Sequence, residues 1–131
     1  MDNIVDPTPR LLADDVSIGA IGYGCWRLVN MPVNEARACI DAALAEGINL
    51  IDTADVYGLD WGGTAFGSAE SLLGDVFRNS PGLRDKIVLA SKGGIVPGVP
   101  YDSKYLETAC EESLRRLGCE QLDLYLSLIH I

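Results

Sequence analysis

Histidine occurs once in this 131-residue chain, and positive charge is scarce, with 10 Lys and Arg against 19 Asp and Glu for a formal charge of −9. That shortage excludes a surface built for polyphosphate. The whole exterior repels it, and the basic residues are scattered apart from Arg115 and Arg116, which share a helix with glutamates. Nucleic acid is therefore not an expected partner. Cysteines at metal-ligand spacing are missing too. Cys25, Cys39, Cys110 and Cys119 form no CxxC, and the lone histidine could add only one ligand, so no metal site is expected and the thiols read as reduced, buried or half-buried. No apolar run approaches the roughly 18 residues that cross a bilayer. The opening MDNIVDPTPR lacks a basic start followed by an apolar stretch. These absences lead us to expect a cytoplasmic protein without membrane contact, with residues 1–15 as a flexible N-terminal segment. GxxxxGK[ST], HExxH and GxSxG are absent as well, and no repeat of fixed period occurs.

What is present is a 48% hydrophobic content, in the range of a globular domain, arranged in alternating strand and helix patterns. VSIGAIGYGCWRL, residues 16–28, suits a first strand whose end approaches something closely. Asn34 is the expected cap of a helix carrying Ala36, Cys39, Ile40, Ala43 and Leu44 on one face, with Gly47 as its stop. INLID, 48–52, is a short buried strand. Ser68 is the expected cap of a second helix, with Leu72, Leu73, Val76 and Phe77 on one face, before the cluster Asn79-Ser80-Pro81-Gly82. KIVLAS, 86–91, is the next strand. Asp102 or Ser103 caps a third helix that Gly118 closes, and LDLYL, 122–126, is the last strand.

The order βαβαβαβ calls for a parallel sheet with helices packed outside it. An open doubly wound sheet fits the length, whereas a closed eight-stranded barrel needs about 250 residues. Gly19, Gly22 and Gly24 lack the GxGxxG spacing, however, and Trp26-Arg27 follow where a helix should open, which lowers the dinucleotide-fold reading.

In parallel α/β folds ligands meet the carboxyl ends of strands. Those ends carry Asp52, with Tyr57 five residues on in DTADVYG, then Lys92 after KIVLAS, and His130 near the last strand. Taken singly, Asp52 reads as a turn former, Tyr57 as an aromatic lid and Lys92 as an exposed turn lysine. Together they suit proton donation. A phenol is a poor acid at neutral pH, a nearby ammonium improves it, and a carboxylate keeps that ammonium charged and oriented. Such a trio can protonate a carbonyl oxygen as hydride reaches its carbon.

These residues resemble the aldo-keto reductases. The likeness rests on GYGCWRL, INLIDTADVYG, GSAESLLG, IVLASKGG and ESLRRLG running into LDLYL, in order from about Ser17 to Leu126. GLDWGGTAFGSAE and SKGGIVPGV look closer to the bacterial-type members. The resemblance implies an α/β fold of the (β/α)8 TIM-barrel type, here its first four or so β/α units, with residues 16–126 as the N-terminal half of the barrel. It also implies NADPH-dependent reduction of a small aldehyde or ketone by a tetrad of Asp, Tyr, Lys and His. Asp52, Tyr57 and Lys92 match the first three positions, with Tyr57 as general acid, Lys92 as its activating cation and Asp52 paired to Lys92. Gly24, Cys25 and Trp26 would lie beside the nicotinamide together with Asp52, and Trp26, Tyr57 and Trp61 would line the substrate pocket. Trp26 reads equally well as a plain core aromatic, and Glu70 as a first-turn residue favoured by the helix dipole.

The chain departs from the family at the fourth member. DLYLSLIHI stands where the family has a sequence like DLYLIHRPD, so His130 is displaced by two residues, about 6 to 7 Å along a strand. Residues 127–131 are accordingly read as an atypical, truncated end, and the 131-residue chain as a weak or inactive enzyme. Two alternatives remain: a non-catalytic half barrel that self-associates or regulates through its open edge, and a small open-sheet binding module of the flavodoxin sort.

Overall fold

The computed structural model describes residues 6–59, 62–96 and 98–129, so Trp61 and His130 lie outside the described residues. The chain enters through an antiparallel hairpin, β1 (Arg10–Ala13) and β2 (Val16–Ile18), with Arg10 opposite Ile18. There follow β3 (Gly22–Gly24), α1 (Val33–Ala45), β4 (Leu50–Asp52), α2 (Ser68–Arg78), a single 3-10 turn at Arg84–Lys86, β5 (Val88–Gly93), α3 (Ser103–Leu117) and β6 (Leu124–Ser127).

Strands β3, β4, β5 and β6 form one parallel sheet in the order of the sequence. Each helical crossover thus returns to the adjacent position on the same side, which is how a barrel winds. A doubly wound sheet reverses direction at a switch point, so the flavodoxin-like alternative is overturned. The sheet is the beginning of a (β/α)8 wall.

Four local expectations are corrected. The single strand over Val16–Leu28 is divided into β2 and β3 by a turn, because Gly19 passes the Gly47 carbonyl so closely that a Cβ would stand 2.1 Å from its oxygen. The hairpin also places a strand, Arg10–Ala13, within the segment expected to fray. Asn34 is not the cap of α1. Pro32 holds that position and Asn34 falls inside the helix, since the fixed proline φ is already suited to a helix start. Nor is Ser68 the cap of α2. Gly67, in the left-handed conformation at φ 79, precedes the helix, and Ser68 Oγ instead bonds the backbone of Ala65. For α3 the open choice falls to Asp102, whose carboxylate accepts from the Tyr105 amide at 2.8 Å.

The apolar core lies between the sheet and the helices. Ile51, Leu89, Ile40, Leu73, Val76 and Leu117 belong to one buried cluster. Side chains alternate across a strand, so Ile51 and Leu89 face the helices while Asp52, Ala90 and Lys92 face the other side, where a closed barrel has its interior. Polar ties fix the amino ends of the strands. Asn49 accepts from the Gly19 amide and donates to the Ser17 carbonyl, joining the hairpin to β4. Asp123 Oδ2 accepts from the Leu89 amide and from Arg84. Among the described residues no helix is long and apolar enough to cross a membrane.

Candidate active site

The site begins with the ladder between β4 and β5, which aligns Asp52 with Ala90. Pairing continues past the end of β4, as the Thr53 amide donates to the Ala90 carbonyl at 2.9 Å and the Asp55 amide to the Lys92 carbonyl at 3.0 Å. The loop after Asp52 is therefore held along the strand that carries Lys92. Its next turn closes with Tyr57 N–H donating to the Ala54 carbonyl, and the Tyr57 carbonyl accepts from the Ala69 amide at the start of α2.

This scaffold brings the three expected residues together. Lys92 Nζ lies 2.6 Å from Asp52 Oδ2 and 2.9 Å from the Thr53 carbonyl oxygen, and 5.0 Å from the centre of the Tyr57 ring. The Lys92 side chain is only 12% exposed, while Asp52 at 32% opens to solvent on the face away from the helices. An ammonium held over a phenol ring attracts both the ring's π-face and any negative charge that develops on its oxygen. The arrangement holds one cation in place beside a phenol ring.

Beside it, the Cys25 amide donates to the Asp52 carbonyl at 2.8 Å and fixes the turn after β3 against the trio. Cys25 is fully buried, and burial followed by the nearby Asp52 charge pushes its thiol up to about 12, so it stays protonated and is no nucleophile. Trp26 is 47% exposed, which overturns its reading as a plain core aromatic. Gly24 leaves open space where a side chain would begin, with nothing within 4 Å of a Cβ built there.

Behind the sheet lies a group of residues that sequence reasoning missed. Glu70 is fully buried, and its carboxylate accepts from Ser91 Oγ at 2.6 Å and from Arg116 Nε at 2.7 Å. The expectation of a first-turn residue serving only the helix dipole is therefore too small. The signal was present in the helical spacing, since Glu70 shares a face with Leu73 and Phe77. Asp55, 1% exposed, stands in the same group. Burial first, and then the Glu70 charge, raise its carboxyl to about 6 against the pull of Arg116.

Comparison with known proteins agrees with this geometry. The profile of the Aldo/keto reductase family matches residues 20–130. A 6-dehydroglucose reductase of Novosphingobium aromaticivorans is 44% identical over 115 residues, a stretch covering 84% of this chain and 37% of that protein. Among solved structures, the holo form of an aldo-keto reductase from Bacillus halodurans superposes with a TM-score of 0.70 at 31% identity, covering 93% of this chain and 40% of that one. An aldo/keto reductase from Klebsiella pneumoniae, in complex with NADP and acetate, gives a TM-score of 0.61 at 33% identity, covering 87% and 36%. The chain thus spans about two-fifths of the length of these relatives or somewhat less. With the barrel-type winding, the trio at consecutive strand ends and the matching profile together, the chain belongs to the aldo/keto reductase family.

Proposed function

We propose that this chain carries the proton-donating part of an NADPH-dependent oxidoreductase that reduces the carbonyl of a small aldehyde or ketone to an alcohol. The observation that carries the reading is the clustering of Asp52, Lys92 and Tyr57 at neighbouring strand ends, with the ammonium 2.6 Å from the carboxylate and 5.0 Å from the phenol ring. Tyr57 donates its hydroxyl proton to the substrate oxygen. Lys92 stabilises the phenolate left behind, and Asp52 with the Thr53 carbonyl holds the Lys92 ammonium in place. A nicotinamide, when bound, supplies the hydride. Gly24, Cys25, Trp26 and Asp52 are the residues of this chain that would border it, and Trp26 and Tyr57 would border the substrate, with Trp61 assigned there by resemblance alone.

NADP is favoured over NAD because a structural relative was solved with NADP. The relative named as a 6-dehydroglucose reductase makes an oxidised sugar the first substrate to try. The site face of the sheet is open, with Leu126 40% exposed, so the 131-residue chain alone should turn over weakly or not at all. That same face and the outer edges of β3 and β6, which have no strand partner among the described residues, are where a second copy would attach if the chain self-associates.

The test is carbonyl-dependent oxidation of NADPH by the gene product in full, across aldehydes, ketones and oxidised sugars. Turnover that disappears in Lys92→Met supports the reading. Turnover unaffected by that change, or none with any carbonyl although NADPH binds, would refute it.

A further inference from the structure

The cluster behind the sheet holds two carboxylates, Asp55 and Glu70, and one guanidinium, that of Arg116. Arg116 Nε and Ser91 Oγ are both committed to Glu70, at 2.7 and 2.6 Å. Asp55 Oδ1 is buried with no hydrogen-bond partner among the described residues, and so is the Tyr125 hydroxyl. Both side chains crowd the bare α-carbon of Gly93, where a Cβ would stand 2.3 Å from the Tyr125 hydroxyl and 3.3 Å from Asp55 Oδ2. Gly93 follows Lys92 on β5, and Tyr125 pairs with Ser91 across the ladder to β6. One cation cannot compensate two buried carboxylates, and Asp55, which has the backbone amide of Val56 as a donor but leaves Oδ1 unpartnered while Glu70 holds both Ser91 and Arg116, is the one held as the neutral acid. A neutral carboxyl carries an O–H and so can donate to a neighbouring hydroxyl oxygen as well as accept from it, where a carboxylate can only accept.

Asp55 lies between two residues of the proposed trio, three positions after Asp52 and two before Tyr57. Its amide is bonded to the Lys92 carbonyl, and its side chain stands beside Gly93 of β5 and the Tyr125 hydroxyl of β6. We propose that Asp55 is a positioning residue, which in its neutral form anchors the Tyr57 loop to the end of β5 and so keeps the phenol beside the Lys92 ammonium, and which loosens that loop when it ionises. The titratable groups facing it are Glu70 from α2, Arg116 from α3 and Tyr125 from β6, with Tyr105 and Cys110 of α3 acting on Tyr125. Lys92 contributes its backbone carbonyl, its ammonium being turned to the other face. Burial and the neighbouring Glu70 charge set the Asp55 transition at about 6.

The inference deepens the reductase reading and rests on it for the role of Tyr57, but its test does not use turnover. Carbon-detected NMR of the 131-residue chain follows the Asp55 carboxyl through its titration. Hydrogen exchange, corrected for intrinsic rates, follows the amides of Asp55 and Ala69, which bond the Lys92 and Tyr57 carbonyls. Asp55 should titrate well above the ordinary carboxylate range, and protection of both amides should fall by about tenfold across that transition, a local rather than global opening. In Asp55→Asn the protection should stay at the acid-side level at every pH. An Asp55 that titrates with ordinary carboxylates, unchanged protection through its titration, or a pH-dependent loss that persists in Asp55→Asn would each overturn the proposal. A gene product that reduces no carbonyl while these readings hold would remove the reductase reading and leave the anchoring of the loop intact.

Discussion

Lys92 Nζ and Asp52 Oδ2 lie 2.6 Å apart although their residues are 40 positions apart in the sequence, because the parallel ladder between β4 and β5 pairs Asp52 with Ala90 and so sets Lys92 two residues further along on the same face. The Lys92 side chain is 12% exposed, so its partner cannot be replaced by water at no cost. Asp52→Ala should lower unfolding free energy by about 1 to 3 kcal/mol, the usual loss for a hydrogen bond to a charged group. Urea denaturation reads the change. The double variant with Lys92→Met should recover part of it, because no unpaired ammonium then remains.

The Glu70 carboxylate is fully buried on two donors, Ser91 and Arg116, 21 and 46 residues away. Glu70→Ala takes the buried partner from the guanidinium, leaving it the more distant Glu112 carboxylate at 3.9 Å, and should destabilise by about 3 to 5 kcal/mol. That is enough to lower the thermal midpoint by many degrees in calorimetry. A loss under ~1 kcal/mol, the worth of an exposed pair, would contradict the burial described.

Gly74 packs α2 against α3 so closely that a Cβ would stand 2.2 Å from the Arg116 carbonyl oxygen. Backbone cannot rotate away as a side chain can, so Gly74→Ala should force the helices apart and cost about 1 to 3 kcal/mol. Gly24→Ala meets nothing within 4 Å and should stay within about 0.5 kcal/mol of the parent. Paired denaturation curves of the two variants check the contrast.

Asp55 also gives stability a pH dependence of unusual sign for a carboxyl. Its pKa is about 6 in the fold against 3.8 for an unperturbed aspartate, so between those values the native state binds more protons than the unfolded one. Stability contributed by the neutral acid is full below about 4 and is lost as pH rises through about 6, by an amount of the order of 3 kcal/mol. Asp55→Asn should match the parent at the acid end and exceed it above the transition. Unfolding free energies measured across this range decide it.

Much of the fold was legible because its periodicities are strong. The helices now at Val33–Ala45, Ser68–Arg78 and Ser103–Leu117 follow from apolar spacing, and the strand ends at Asp52 and Lys92 follow from short branched runs. The division at Gly19 was not legible, since the reason for that glycine is the carbonyl of Gly47, remote in sequence. Helix starts misled for a similar reason: Asn34 and Ser68 have capping side chains, but Pro32 and Gly67 have the backbone conformations that begin the turns. Of the site, Asp52, Tyr57 and Lys92 could be read from their places at strand ends. Asp55, Ser91, Arg116 and Tyr125 could not. Their meeting depends on two helices and two strands converging behind the sheet, and DTADVYG does not by itself tell which aspartate faces the mouth and which the helices.

The most direct test of the account is the rate of carbonyl reduction, in a single turnover with NADPH already bound, by the gene product and by its Tyr57→Phe variant. Loss of the hydroxyl proton should slow reduction by about 10²- to 10⁴-fold, the range for a general acid, with NADPH affinity and thermal midpoint unchanged. A variant that reduces the carbonyl at the parent rate would contradict the assignment of Tyr57 as proton donor and with it the role given to Lys92 and Asp52.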